Sequence, residues 1–273
     1  METALLNREV DSDRVDTDDV FLLNMQHASL QFSDSPNQQR RDIRDLFEAG
    51  ENFPVKTGTE AGGPATKSNP NKNKEFLLEF ARKFNHVVQF GGDSWVAVDR
   101  SIIVPGSLDR GKLFIMKNDT IVGHGHDRVL PWIAFDHVEP GVGRSSVGSI
   151  HYPTKGATPG SPNYDANKKI AAAIEKWLKE VAKGRDLGFV NGDFNMPDRT
   201  TDWALGHNFT SMADELNAWA NTGHGPIDGF CSYDLDGRVS AEDFKVLNDK
   251  RFFQFSDHFV CRGKWGIKLL AAA

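Results

Sequence analysis

Cysteine is scarce in this chain: only Cys231 and Cys261 occur among 273 residues. Two thiols build no disulfide framework, so the fold stands on its core, and a reducing compartment is the simpler setting. Long apolar runs are missing too. None approaches the ~20 residues that cross a bilayer, and residues 1–19 are too acidic and polar for a signal peptide. A cytoplasmic protein without membrane contact is the expectation. Positive charge is also in deficit: 32 Lys and Arg face 38 Asp and Glu, a net charge of −6. A general nucleic-acid coat is usually basic. Nucleic acid is therefore expected here as a substrate met at a local site. No internal repeat or linker divides the chain, and nothing points to a protein partner or to more than a monomer.

What is present is the composition of a globular domain, 39% hydrophobic and 26% charged. Residues 1–18 read as a flexible lead-in, 19–267 as one domain, and 268–273 as a tail ending in three alanines. Residues 20–24 form a short apolar run that predicts a buried strand closed by Asn24. Helical spacing over 37–49 is followed by a strand over 53–59, ending at Glu60. Residues 61–74 are a loop by composition and carry Lys67, Lys72 and Lys74. A helix over 75–84 precedes short strands at 87–90, 95–98, 101–104, 120–123, 132–138 and 146–151. The clearest helix spans 164–183, with Ile170, Ile174, Trp177, Leu178 and Val181 on one face. A strand over 187–190 runs into Asn191-Gly192-Asp193-Phe194-Asn195. A helix over 212–220 and strands near 227–232, 238–239 and 259–261 complete the chain. This irregular alternation predicts two packed sheets flanked by helices.

Polar residues recur where these strands end: Asn24, Glu60, His151, Asp193 with Asn195, Asp228, and Ser256-Asp257-His258. Carboxylates suit a hard cation such as Mg²⁺. Histidines donate protons or hydrogen bonds to a phosphate. Each residue alone has an ordinary reading as a turn, cap or solvated side chain. Their order together resembles the endonuclease/exonuclease/phosphatase family, the fold of pancreatic deoxyribonuclease and the apurinic-site repair endonucleases. The resemblance runs from Asp19 to Cys261.

It implies a four-layer α/β/β/α sandwich with the site at one end, and Mg²⁺ or Mn²⁺ as cofactor. Glu60, Asn24 and Asp257 would ligate the metal. Asp193 would orient or deprotonate the attacking water, and Asn195 would hold a phosphate oxygen or that water. His258, held by Asp228, would contact the phosphate. His151 would be the second phosphate-facing histidine and the acid for the leaving group. Arg128 is the candidate for a phosphate-facing cation. Gln26 stands where the repair branch carries an acid, which argues against that branch. The implied activity is phosphate-ester hydrolysis, with DNA or RNA the first substrate and small or lipid-linked phosphates the alternative. A binding module with a dead site is the third reading, opposed by the complete set of acids and histidines. His124 and His126 lack an evident third metal ligand. Asp236-Gly237 reads as a hairpin turn rather than a calcium loop.

Overall fold

The structure, a computed structural model, describes residues 19–30, 35–61, 72–122, 126–184, 186–195, 210–216, 228–247 and 258–271. Its elements in chain order are β1 (Val20–Ser29), α1 (Pro36–Glu48), β2 (Val55–Thr59), α2 (Asn73–Lys83), β3 (His86–Gly91), β4 (Ser94–Asp99), β5 (Asp109–Met116), β6 (Arg128–Asp136), β7 (Arg144–His151), α3 (Tyr164–Lys183), β8 (Leu187–Asp193), β9 (Thr210–Ser211), α4 (Met212–Glu215), β10 (Asp228–Tyr233), β11 (Val239–Leu247) and β12 (Val260–Lys268). One six-stranded sheet runs β11-β12-β1-β2-β4-β3, the other β5-β6-β7-β8-β10-β9. Each has one parallel pair, β1 with β2 and β7 with β8. Parallel neighbours need a long crossover, and α1 and α3 supply the two. Ile43, Leu46 and Phe47 of α1 and Leu77 and Phe80 of α2 pack on the outside of the first sheet. Ile170, Ile174 and Leu178 of α3 cover the second. The result is the expected four-layer sandwich.

The layer between the sheets changes character along its length. Alternate residues of a strand face the same side. At one end the inward positions are apolar: Leu23 and Met25 on β1, Val55 on β2, Val147 on β7, Leu187 and Phe189 on β8, Trp265 and Ile267 on β12. Continuing in steps of two along the same strands gives His27 and Ser29, Thr57 and Thr59, Ser149 and His151, Asn191 and Asp193. All of these are buried. Hydrogen bonds make that burial tolerable: Ser29 Oγ to Thr59 Oγ1 at 2.6 Å, Asn191 Nδ2 to Thr57 Oγ1 at 3.2 Å, and Ser149 Oγ to Gly58 O across the sheets at 3.0 Å. The polar end of the core is thus continuous with the site.

Charge explains where the expected strands differ from those found. β5 and β11 are edge strands, and edges carry charge that discourages further pairing. Asp109, Arg110 and Lys112 on β5, and Glu242, Asp243 and Lys245 on β11, hide the apolar alternation. β5 therefore goes unread, and β11 is reduced to 238–239. Residues 100–102 form a 3₁₀ turn rather than a strand, closed by Ser101 N donating to Asp99 Oδ1 at 2.8 Å. Residues 118–120 form another. The helix expected over 212–220 is described only for Met212–Glu215.

Lys56 faces outward from β2, beneath α1, and is 1% exposed. Its Nζ donates to Gly50 O at 2.5 Å and to Phe53 O, just beyond the helix. Burial lowers its pKa from 10.5 to about 7, with Asp99 opposing and Arg262 adding to the shift. Between that value and 10.5 the unfolded chain binds more protons at this residue than the folded one. Its contribution to stability therefore rises with pH across that window. Urea midpoints at pH 7 and pH 9.5 are expected to rise for the wild type relative to Lys56→Met; parallel changes in the two proteins would refute the assignment.

Candidate active site

Strand register alone brings three of the predicted residues together. His151 pairs with Asp193 across parallel β7 and β8, and Asp193 pairs with Asp228 across antiparallel β8 and β10. Residues on one rung point to the same face, here the inner one. Gly192 makes the close packing behind them possible: a Cβ there would lie 2.4 Å from Ile150 O. His258 comes from the other sheet, two residues ahead of β12. Its Nδ1 lies 2.7 Å from Asp228 Oδ2, and its Nε2 faces Asp193 Oδ2 at 3.8 Å. His151 Nε2 faces the same oxygen at 3.5 Å. Asp193 is thereby flanked by two imidazoles.

The partner of His151 is Asp93, which sequence reasoning missed. Asp93 lies in the tight turn between β3 and β4, and its Oδ2 accepts from His151 Nδ1 at 2.7 Å. Arg128 Nη1 approaches the same oxygen at 3.5 Å. The turn is held by Lys74 Nζ donating to Gly92 O at 3.1 Å, and by Ala61 N donating to Asp93 O at 2.9 Å. That second bond ties Asp93 to the residue after Glu60. Only the glycines of Gly91-Gly92-Asp93 signal a turn in the sequence, and nothing local marks the acid as functional.

Arg128 is 1% exposed, and its Nε and Nη2 have no hydrogen-bond partner among the described residues. A buried guanidinium with two unmet donors is a site for an oxyanion. Burial lowers its pKa, while Asp93, Asp193 and Glu60 act to raise it. Glu60 ends β2 with φ of 61°. Burial works against the charge on Asp93, but His151 and Arg128 bring its pKa down to about 2. Burial would lower the pKa of His151 as well, yet Asp93 and Asp193 raise it above its ordinary value. Asp193 is pushed up to about 7, first by burial and then by Asp228, against the pull of both histidines. The site thus holds an acid near neutrality between acid-backed imidazoles.

Asn195 takes φ of 50°, a left-handed conformation that asparagine tolerates. Its N donates to Asp193 Oδ1 at 2.9 Å, and its Nδ2 donates to Tyr152 O at 2.7 Å. One amide N–H is thereby committed, and among the described residues the other and the carbonyl oxygen remain for a ligand.

Two readings of β1 need correction. The strand continues five residues past Asn24, so Asn24 does not close it. Asn24 precedes the first rung shared by β1 and β2, Met25 with Val55, whereas Glu60 follows the last, Ser29 with Thr59. About 20 Å of strand separates their levels, too far to share a metal ion. Asn24 Nδ2 donates instead to Asn52 O at 3.1 Å. Gln26 also faces away from the site: a Cβ at Gly50, just past α1, would meet its side chain. The β1 residue that enters the site is His27, whose Nε2 lies 3.6 Å from Asp228 Oδ1. Asp257, Lys67 and His124 lie outside the described residues, and His126 sits in a bend rather than a strand.

A metal has a fitting donor set here. Ligand atoms of Asp193, Asp228 and His258 lie within 4.8 Å of one another. The two carboxylates sit on one rung with charges that oppose each other, which a cation would relieve.

No protein-family model and no curated protein matches this sequence. Solved structures do match it. An endonuclease/exonuclease/phosphatase family protein from Bacteroides thetaiotaomicron superposes with a TM-score of 0.64 at 14% identity, covering 91% of this chain and 96% of that one. The chain has the endonuclease/exonuclease/phosphatase fold. A mannosyl-6-phosphatase from the same organism shares the fold with a TM-score of 0.63 and 12% identity, over 89% of this chain and 99% of that chain. So does D. rerio TDP2, solved with a single-strand DNA product, with a TM-score of 0.62 and 10% identity, over 89% and 98%. Within one fold these names span a sugar phosphatase and a DNA-bound enzyme, so substrate has to be argued from the site.

Proposed function

We propose that this chain is a divalent-metal-dependent phosphoesterase that hydrolyses phosphodiester bonds of DNA or RNA. The observation that carries the reading is the rung His151–Asp193–Asp228, closed by His258, with buried Arg128, two of whose nitrogens have no partner among the described residues, in the field of Asp93, Asp193 and Glu60. Asp193 takes the proton of the attacking water, a task suited to a base near neutrality. Arg128 Nε and Nη2 hold phosphoryl oxygens, with His258 beside them. Asp228 orients His258 through Nδ1, and Asp93 orients His151 in the same way. Each ring then presents Nε2 to the ester. His151 delivers a proton to the leaving oxygen, and Asn195 offers its remaining N–H or its carbonyl oxygen to the water or phosphate. Glu60 would hold Mg²⁺ or Mn²⁺ with Asp257, beside the rung. Bound there, the ion neutralises phosphoryl charge and acidifies water.

The second reading is a phosphatase on small or lipid-linked phosphates. It is supported by Lys72 and Lys74, which already have partners: Lys74 with Gly92 O and Lys72 with Glu75 at 3.7 Å. A net charge of −6 also favours it. The test is hydrolysis of supercoiled plasmid, single-stranded oligonucleotide and a phosphate-ester panel with Mg²⁺ or Mn²⁺. Nucleic-acid cleavage lost on adding EDTA and restored by the metal is expected. Free phosphate from the ester panel alone would establish the second reading, and turnover of nothing would overturn both.

A further inference from the structure

The inner face of β1 carries a histidine that none of the sequence motifs includes. His27 is completely buried and stands between the two sheets. Its Nδ1 lies 3.0 Å from Thr57 Oγ1 on the neighbouring strand. Its Nε2 faces Asp228 Oδ1 on the opposite sheet at 3.6 Å. Neither Nε2 nor that oxygen has a hydrogen-bond partner among the described residues, and both are buried. Two unmet polar atoms facing each other in a dry interior are costly, and closing the gap by about half an ångström makes a normal hydrogen bond.

We propose that His27 is a positioning residue whose Nε2–H donates to Asp228 Oδ1, holding that carboxylate with Oδ2 on His258. The inference rests on the phosphoesterase reading for its effect on turnover, but the contact itself does not. The neighbours accommodate the tautomer this requires. Asn191 Nδ2 donates to Thr57 Oγ1 at 3.2 Å, so it occupies an acceptor site and leaves the hydroxyl proton to be donated. The nearer acceptor for that proton is His27 Nδ1, at 3.0 Å against 3.3 Å to Gln26 O. An imidazole that accepts at Nδ1 carries its hydrogen on Nε2. A ring that accepts at Nδ1 and donates at Nε2 is neutral. Thr57 then donates to His27, and His27 and His258 each donate to one oxygen of Asp228, so the carboxylate links the first-sheet network to the histidine at the phosphate. Asp228 bonded through one oxygen alone could swing about its χ2 and release His258 Nδ1. Bonded through both, it is fixed.

The test uses the whole chain and two variants. His27→Gln keeps a neutral N–H at the ε position, and His27→Leu keeps bulk without a donor. The first readout is the proton NMR signal of His258 Nδ1–H, assigned by its loss in His258→Gln. It is expected at the wild-type position in His27→Gln and shifted or broadened in His27→Leu. The second is turnover: kcat is expected to fall about 10- to 100-fold in His27→Leu, the scale of a lost hydrogen bond to a charged group. KM should stay the same, and His27→Gln should largely restore kcat. In a His258→Gln background the leucine change should cost nothing further. A wild-type His258 signal in His27→Leu, or an undiminished loss in that background, would overturn the proposal. If no phosphate ester is turned over, the functional reading fails, while the NMR signal still decides the contact. If the leucine variant does not fold, the ¹⁵N shifts of His27 in the wild type decide: a protonated Nε2 and bare Nδ1 are expected, and the opposite tautomer excludes the bond to Asp228.

Discussion

Replacing Asp193 with asparagine is expected to lower kcat by about 10³- to 10⁴-fold, the upper range for loss of a general base. The substitution preserves shape. Asparagine keeps an oxygen for the Asn195 N–H that Asp193 Oδ1 accepts at 2.9 Å, so a fall in rate is not a fall in folding. The same variant is expected to be more stable than the wild type above neutral pH. Asp193 is raised from 3.8 to about 7, chiefly by burial and then by Asp228. Between those values the unfolded chain has lost its proton and the folded chain has not. Stability from this group therefore falls as pH rises through the window, and the loss is complete above it. An asparagine has no proton to lose. Melting temperatures at pH 8 with EDTA should show the variant above the wild type, and at pH 4 the two should converge. A dead enzyme that is more stable is what a strained catalytic acid implies. A kcat within tenfold of wild type would remove Asp193 from the mechanism.

Arg128 supplies the second large effect. Arg128→Lys is expected to reduce kcat/KM by about 10²- to 10³-fold, the scale of losing preorganised donors to a developing oxyanion. Lysine keeps a positive charge beside Asp93, so the buried carboxylate is not stranded. It does not reproduce the planar fork whose Nε and Nη2 are unmet in this structure. Arg128→Met should lose as much activity and also destabilise the fold, because Asp93 then keeps only His151 within ion-pair distance among the described residues. Steady-state kinetics of both variants, set against their melting temperatures, separate the two roles. Full activity in the lysine variant would show that charge alone, not the fork, serves the reaction.

The site was legible in part because its motifs lie at strand ends that are themselves legible. Apolar runs precede His151 and Asp193, and an inward-facing residue at the end of a buried run has few places to point except the end of the core. The helix expected over 164–183 is found with those bounds as Tyr164–Lys183, since its apolar stripe is continuous. Parity explains the failure at β1. Leu23 and Met25 alternate inward, so Asn24 and Gln26 face outward, and His27 is the next inward residue. The expectation ended the strand at Asn24 because the apolar letters thin out there. The strand in fact continues to Ser29, because its polar inward residues are compensated by hydrogen bonds to Thr57 and Thr59, which lie 30 residues away in the chain.

What the sequence determined by itself is the set of chemical groups and their order along the chain: acids, amides and histidines placed after apolar runs. Strand and helix periodicities, which are local properties of the chain, were enough for two packed sheets flanked by helices, and the family resemblance of the ordered motifs implied the four-layer sandwich. Tertiary structure alone decided which of those groups meet. Asp93 reaches His151 across 58 residues, and His27 reaches Asp228 from the opposite sheet. Arg128 is buried with two nitrogens that have no partner among the described residues. Each of these depends on two sheets packing in one register, and no periodicity within a single strand records which residue of another strand will face it.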